Sequence, residues 1–187
     1  MTPRITVVTP ALPGRLRFLM RAADSVARQT LPPAAHLVGV DHERRGSAAV
    51  RNQLALAAET EWVALLDDDD YLYPQHLERL GQHVEEADVV YSWCDVEGRD
   101  WDPNSRFDPD RLYRENYIPI TTLIRTELVR KLGGWRDSSQ VTHGFEDWDF
   151  WKRALDDGAV FRCVPERTWA YCFHMGNKTY HGERGAI

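Results

Sequence analysis

Four consecutive aspartates, Asp67 to Asp70, follow directly on an apolar run, Trp62-Val-Ala-Leu-Leu66. Like charges packed this closely raise one another's pKa unless something positive neutralises them, and a divalent cation does so directly. Mg²⁺ or Mn²⁺ takes one or two protein carboxylates and fills its remaining octahedral positions with water and substrate phosphate oxygens. Alternate residues of an extended chain point apart, so one carboxylate of the run can face a metal while its neighbour faces a nucleotide. A plainer alternative has Asp70 capping a helix that begins near Pro74, with the other aspartates solvated. That explains one or two aspartates, but not four behind an apolar strand.

A second acidic group, Glu146-Asp147, stands among aromatics in Phe145-Glu-Asp-Trp-Asp-Phe-Trp151. In a helix, Asp147 shares a face with Phe150, Trp151 and Ala154 and is expected to point inward with that stripe. The helix dipole lowers its pKa and apolar walls raise it, an opposed setting that can tune a general base. The plain alternative is that acids in a first helical turn stabilise the dipole by about 0.3–1 kcal/mol each, with no catalysis involved.

Both groups depend on the elements that carry them. Ile5 to Thr9 reads as a strand, and Leu16, Leu19, Met20, Ala23, Val26 and Ala27 recur at helical spacing up to Pro32-Pro33. His36 to Val40 gives a second strand, Ser47 is placed to cap a helix bearing Val50, Leu54 and Ala57, and Trp62 to Leu66 gives a third strand. Strands alternating with crossover helices imply a parallel sheet, whose ligands bind beyond the carboxyl ends of the strands. Here those ends are Thr9-Pro10, Asp41 and the aspartate run.

Pro74 is expected to open a helix to about Glu86, and Asp88 to Cys94 to form a strand. Residues 97–116 read as loop with at most a short helix, Ile118 to Ile124 as a strand, and Thr126 as the cap of a helix ending at Gly133-Gly134. A polar loop bracketed by Gly133, Gly134 and Gly144 leads to a helix from Glu146 to Asp157. Phe161 to Val164 and Thr168 to Phe173 close the chain as two short strands.

The 187 residues suit one domain with an adequate core, and 43% hydrophobic with 28% charged residues is a globular balance. A formal net charge of −6 argues against a nucleic-acid partner, since counterion release needs a clustered basic surface. Cys94, Cys163 and Cys172 are odd in number and form no Cys-x-x-Cys pair, which suggests reduced thiols and a cytoplasmic protein. No run approaches the ~20 apolar residues of an integral membrane segment, and the first strand leaves no room for a signal peptide.

Together the clusters resemble the family 2 glycosyltransferases, over nearly the whole chain. The carriers are Val7-Val-Thr-Pro10 with Arg15, Asp41, Arg51-Asn52, Leu66-Asp-Asp-Asp-Asp70 with Pro74, Gly133-Gly-Trp135, Glu146-Asp-Trp-Asp-Phe-Trp151 and Tyr171-Cys-Phe-His174. The resemblance implies a GT-A-type α/β fold. Its sheet is Rossmann-like and mixed, mainly parallel in the N-terminal half and flanked by helices. A single domain is implied, with residues 1–94 binding nucleotide sugar and 95–187 supplying acceptor site and base. The activity implied is inverting, metal-dependent transfer of a hexosyl group from a nucleotide-diphosphate sugar, a UDP-sugar foremost, to an acceptor hydroxyl.

By the same resemblance Thr9, Pro10, Arg15, Asp41, Arg51, Asp67 and Asp68 bind the donor nucleotide. Asp69 of the Asp-x-Asp motif, with His174, binds Mn²⁺ or Mg²⁺. Asp147 is the base, with Glu146 beside it holding acceptor or donor sugar. Trp135 and Trp148 are the candidate sugar-facing aromatics, although most tryptophans simply fill cores. The oligomeric state is left open, a homo-oligomer included.

Other functions fit less well. A noncatalytic scaffold of the same fold, binding nucleotide or a protein partner, would not need both Asp69 and Asp147. A phosphatase of the haloacid dehalogenase type wants Thr four residues after its first Asp, where this chain has Tyr71. A nucleotidyltransferase wants a Gly-rich loop with a basic residue after the first strand, and Thr9-Pro-Ala-Leu-Pro-Gly14 is a poor version of one.

Overall fold

The computed structural model describes residues 2–141 and 145–174. Strand β1 (Ile5–Ala11) is buried along its whole length and runs parallel to β2 (Ala35–Val40) on one side and β3 (Trp62–Leu65) on the other. Its β-branched run from Ile5 to Thr9 suits a strand covered on both faces. Period-two alternation then divides the apolar residues between two cores. Val8, Val63 and Leu65 face one, with α2 (Ser47–Ala57) and the aromatics of a late helix. Ile5, Val7, Trp62 and Ala64 face the other, with Ala22 and Val26 of α1 (Leu16–Ala27).

The chain continues through β4 (Tyr71–Leu72), α3 (His76–Gly81), β5 (Val89–Glu97), α4 (Pro109–Leu112), β6 (Thr122–Arg125), α5 (Thr126–Lys131), a 3₁₀ turn at Ser138–Gln140, α6 (Glu146–Asp156) and β7 (Phe161–Cys172). The sheet has seven strands in the order β2-β1-β3-β6-β5-β7-β4. Antiparallel β6 separates the parallel N-terminal trio from β5 and β7, which are parallel to each other. The expected mixed sheet, mainly parallel in its N-terminal half, is therefore present.

Several boundaries differ from the sequence reading. The helix after Pro74 is confined to His76–Gly81, although Leu77, Leu80 and Val84 are all buried as the periodicity predicts. The strand expected from Ile118 shortens to Thr122–Arg125, because β6 pairs with β3 and β5 only from Thr122 onward. The two closing strands are one, β7. It slips register against β5 between Ser92 and Cys94, so Val164 and Arg167 pair with adjacent residues. Pro165 lies in the bulge, where its missing N–H does no harm. Neither Ser47 nor Thr126 caps its helix: each is the first helical residue, after Gly46 and Arg125. Gly144 lies outside the described residues.

Two glycines fix how the helices sit. A Cβ on Gly39 of β2 would press on Val50 and Leu54 of α2, so its absence sets the helix-to-sheet distance. Gly134 has φ +74° and packs against Asn52, whose side chain a Cβ would strike. Asn52 in turn holds the residue after it, donating to the Trp135 carbonyl (2.7 Å) and accepting from the Trp135 N–H (2.8 Å). The Arg51-Asn52 and Gly-Gly-Trp motifs are thus two halves of one clasp between α2 and the loop after α5.

Candidate active site

The aspartate run leaves the sheet at the end of β3, where the Leu66 N–H still bonds the Val8 carbonyl (3.1 Å). Its four side chains then take four sets of partners. Asp67 meets Arg51 of α2 (3.2 Å). Asp68 accepts the Leu12 N–H (2.9 Å) and the Arg15 guanidinium (3.1 Å). Asp69 Oδ2 accepts from Arg15 (2.9 Å) and lies 3.0 Å from His174 Nε2. Asp70 accepts the Cys172 N–H of β7 (2.8 Å). Asp70 therefore ties the run to the far strand instead of capping α3, which starts after Gln75 with no side-chain cap. Burial, reinforced by the neighbouring carboxylates, holds Asp69 above the ordinary carboxylate range and Asp70 well above it. Arg15 and His174 pull the other way at Asp69.

The second cluster opens α6. Glu146 is buried and accepts from Ser47 Oγ (2.7 Å), with Arg51 Nη1 3.5 Å away. Ser47, expected as a cap, thus bonds across to α6. Arg51, its side chain only 2% exposed, touches Asp67 of one cluster and Glu146 of the other while its guanidinium lies 5.5 Å from the Trp135 ring. Asp147 does not follow Phe150, Trp151 and Ala154 into the core. It sits half-buried, accepting the Trp148 N–H (2.8 Å) and facing the Asn116 amide, which donates to its two oxygens at 3.2 and 3.4 Å.

Burial raises the pKa of Asp147, and the charge of Glu146 raises it further. The Trp148 N–H, Asn116 and Arg51 oppose the shift without cancelling it. Removing the amide donor with Asn116→Ala is therefore expected to move Asp147 further upward. Titration of this carboxyl followed by NMR should place its midpoint at higher pH than in wild type, with thermal stability little changed. An unmoved midpoint would mean that Asn116 does not act on this carboxyl.

Both clusters line one cavity of about 690 Å³. Of the residues expected at the site, Pro10, Arg15, Asp41 and Arg51 line it, as do Asp67, Asp68 and Asp69. Glu146 and Asp147 line it from α6. His174 reaches the cluster through Asp69 and stacks on Phe18 of α1 (centroids 5.2 Å apart). The Asp41 carboxylate accepts the Arg45 and Gly46 N–H groups (2.9 and 2.8 Å), which hold its pKa low and shape the turn into α2.

Besides His174, which does not itself line the cavity, three expected residues are not brought to it. Thr9 is buried, its hydroxyl 2.9 Å from His36 Nε2. Trp135 is 2% exposed and stacked on Phe150 (4.6 Å). Trp148 donates Nε1–H to the Leu112 carbonyl (2.6 Å), with Lys152 over its ring. Both tryptophans serve packing, the commoner use of the residue. Trp101, Tyr171 and Asn116 line the cavity in addition. Trp101 and Asn116 lie in the aperiodic 97–116 stretch, where spacing carries no signal about direction.

A cation of the Mg²⁺ or Mn²⁺ type needs few protein ligands, because water and phosphate oxygens complete its shell. Asp69 Oδ2 and His174 Nε2, 3.0 Å apart, fit that limited demand, with Arg15 sharing the same carboxylate oxygen. Among the described residues no group of three or more His, Cys, Asp or Glu side chains is placed to hold a metal ion. Among them also, no helix is long and apolar enough to cross a membrane, and Cys94, Cys163 and Cys172 are free thiols.

Residues 17–136 match the family described as Glycosyl transferase family 2. An uncharacterized glycosyltransferase of Bacillus subtilis (strain 168), YwdF, is 25% identical over 92% of this chain and 76% of its own length. An uncharacterized glycosyltransferase of Methanocaldococcus jannaschii, MJ1057, is 21% identical over 78% of this chain and 54% of its own. Among solved structures, S. aureus TarS 1-349 in complex with UDP superposes with a TM-score of 0.71 at 16% identity, over 91% of this chain and 60% of that one. Its complex with UDP-GlcNAc gives 0.72 at 18% identity, over 93% and 60%. At that identity the likeness bears on the fold.

Proposed function

The chain belongs to glycosyl transferase family 2, and from that premise we propose that it is an inverting, metal-dependent glycosyltransferase that moves a sugar from a UDP-sugar to an acceptor hydroxyl. The observation that carries this reading is the convergence, in one cavity, of an aspartate run from the N-terminal half and a Glu-Asp pair from the C-terminal half. Transfer needs both, one to manage a charged leaving group and one to activate a nucleophile. That TarS is described in complex with UDP and with UDP-GlcNAc supports a UDP-sugar here as well. The chain spans 60% of that TarS fragment.

In this reading the N-terminal half, residues 1–94, cradles the nucleotide, with Pro10, Asp41, Arg51, Asp67 and Asp68 along its wall. Asp69 and His174 would hold a divalent cation. When bound, that cation supplies positive charge to the diphosphate as it leaves. Asp147 takes the proton of the acceptor hydroxyl. The hydroxyl oxygen bonds to the anomeric carbon as the bond from that carbon to the diphosphate oxygen breaks, its electron pair leaving with the nucleotide. Attack from the side opposite the leaving group inverts the centre, and no protein acid is needed to protonate a diphosphate. Glu146, fixed by Ser47 and Arg51, orients the sugar beside the base.

Calorimetric titration of UDP, GDP, dTDP and CDP, with and without Mn²⁺, tests the donor half of this reading. UDP is expected to bind wild type in a Mn²⁺-dependent manner, and Asp69→Ala to lose at least about tenfold in affinity, ~1.4 kcal/mol. Absence of binding by every nucleotide, with or without metal, would overturn the donor site and favour a noncatalytic scaffold.

A further inference from the structure

With Trp135 and Trp148 in packing roles, the acceptor side of the cavity is left to a different aromatic. Trp101 lies in the segment between β5 and α4 and is 41% exposed, an unusual position for the largest side chain. It lines the main cavity and also a second one of about 310 Å³, so that Trp101, with Cys94 and Asp102, forms their common wall.

The ring is held in place. Asn104 clasps the edge of β5 like a strand residue, accepting the Cys94 N–H (2.7 Å) and donating to the Cys94 carbonyl (2.9 Å). Arg167 of β7 fixes Asp102 (3.1 Å). Tyr171 meets the indole edge-on, centroids 6.2 Å apart, and the Arg99 guanidinium lies 5.7 Å from its centre. Around this aromatic surface stand Asp95, Asp100, Asp102, Arg99 and Arg167. That combination selects its occupant. A pyranose has an apolar C–H face that lies on an aromatic ring and a rim of hydroxyls that both donate and accept hydrogen bonds. Apolar area beside a few charged and polar groups is what recognises such a molecule. Arg167 already pairs with Asp95 and Asp102 (3.5 and 3.1 Å), and a lipid chain laid over these charges would desolvate them without offering a hydrogen bond in return.

We propose that Trp101 is the stacking platform of a saccharide acceptor at least two pyranose units long, one unit in the main cavity with Asp147 and the next beyond Trp101 in the smaller cavity. The proposal rests on the transferase reading above and names its acceptor class. Trp101 is a positioning residue for the acceptor and stands outside the donor site.

Saturation-transfer difference NMR tests it, using methyl β-glucopyranoside, cellobiose, methyl N-acetyl-β-glucosaminide and chitobiose as probes, each with and without UDP. At least one disaccharide is expected to bind more tightly than its monosaccharide. Trp101→Ala should weaken that binding about tenfold, the loss of one aromatic stack, and Trp101→Phe should restore most of it. Calorimetric UDP affinity should be the same in all three proteins, which also shows that the variants are folded. Disaccharide binding unchanged in Trp101→Ala, or no saccharide signal from wild type under either condition, would overturn the proposal. Saccharide binding that depends on Trp101 in a protein that binds no nucleotide would leave the platform standing and remove the transferase reading instead.

Discussion

Asp147→Asn is expected to lower donor turnover by about 10²–10⁴-fold, the usual contribution of a positioned general base, while UDP affinity changes little. Asparagine is nearly isosteric and its carbonyl oxygen can still accept the Trp148 N–H that Asp147 accepts at 2.8 Å. The loss would therefore report the missing proton acceptor and not a collapsed helix terminus. At ~1.36 kcal/mol per factor of ten, the effect corresponds to about 3–5 kcal/mol of barrier. The pH dependence gives an independent check. A general base works only when deprotonated, so the rate falls as pH drops through its pKa. Burial and Glu146 hold the Asp147 pKa above that of an ordinary carboxyl, so the acid limb of the wild-type profile lies above the ordinary aspartate range. The residual turnover of Asp147→Asn should lack that limb. Unchanged turnover in the variant would remove Asp147 from the chemistry and leave its acid group as a helix-dipole stabiliser.

The parts of this molecule that were legible in its sequence are those where a local pattern has a single physical reading. The β-branched run at Ile5 and the apolar run at Trp62 became the buried strands β1 and β3. The aspartates that follow had to emerge at the sheet's carboxyl edge, and they line the cavity there. Periodicity also located α2 and α6 to within a residue or two, but the stripe it drew on α1 does not hold: Leu16 and Met20 are 66% and 63% exposed, and the buried residues are Ala22, Ser25 and Val26. What spacing could not show was partnership over distance. Ser47 before an apolar helix looks like a cap, yet its hydroxyl bonds Glu146, 99 residues away. Asp70 looks like the cap of the next helix, yet it bonds the Cys172 backbone, 102 residues away.

The tryptophans make the same point from the other side. Trp135 and Trp148 stand inside recognisable motifs and are taken up by packing. Trp101 stands in a stretch with no periodicity, and only the Asn104 clasp and the sheet edge reveal where it lies. The same aperiodic stretch hides Asn116, whose importance lies in a contact with a helix 31 residues later.

Arg51 joins the two carboxylate clusters, and its removal is expected to have the largest effect on stability. Its side chain is 2% exposed and its charge meets Asp67 at 3.2 Å and Glu146 at 3.5 Å. Nε and Nη1 make no hydrogen bond among the described residues, so charge pairing and the Trp135 ring are its main compensation. Taking away one member of a buried pair leaves the other buried and uncompensated, at about 3–5 kcal/mol. In a protein of this size each ~1 kcal/mol moves Tm by about 2–4 °C. Arg51→Met, which keeps most of the volume, should therefore lower Tm by about 6–20 °C. Glu146→Gln in the Arg51→Met background should recover part of the loss, because a neutral amide can keep the Ser47 hydrogen bond without a buried charge. Arg51→Lys should fall between, since an ammonium on a flexible stem cannot reach both carboxylates as a planar fork does. A double-mutant cycle in thermal denaturation measures the coupling directly. Additive effects of Arg51→Met and Glu146→Gln would show that the two residues are neighbours only. Coupling above ~1 kcal/mol would establish that a single buried guanidinium holds the α6 carboxylates in register with the aspartate run.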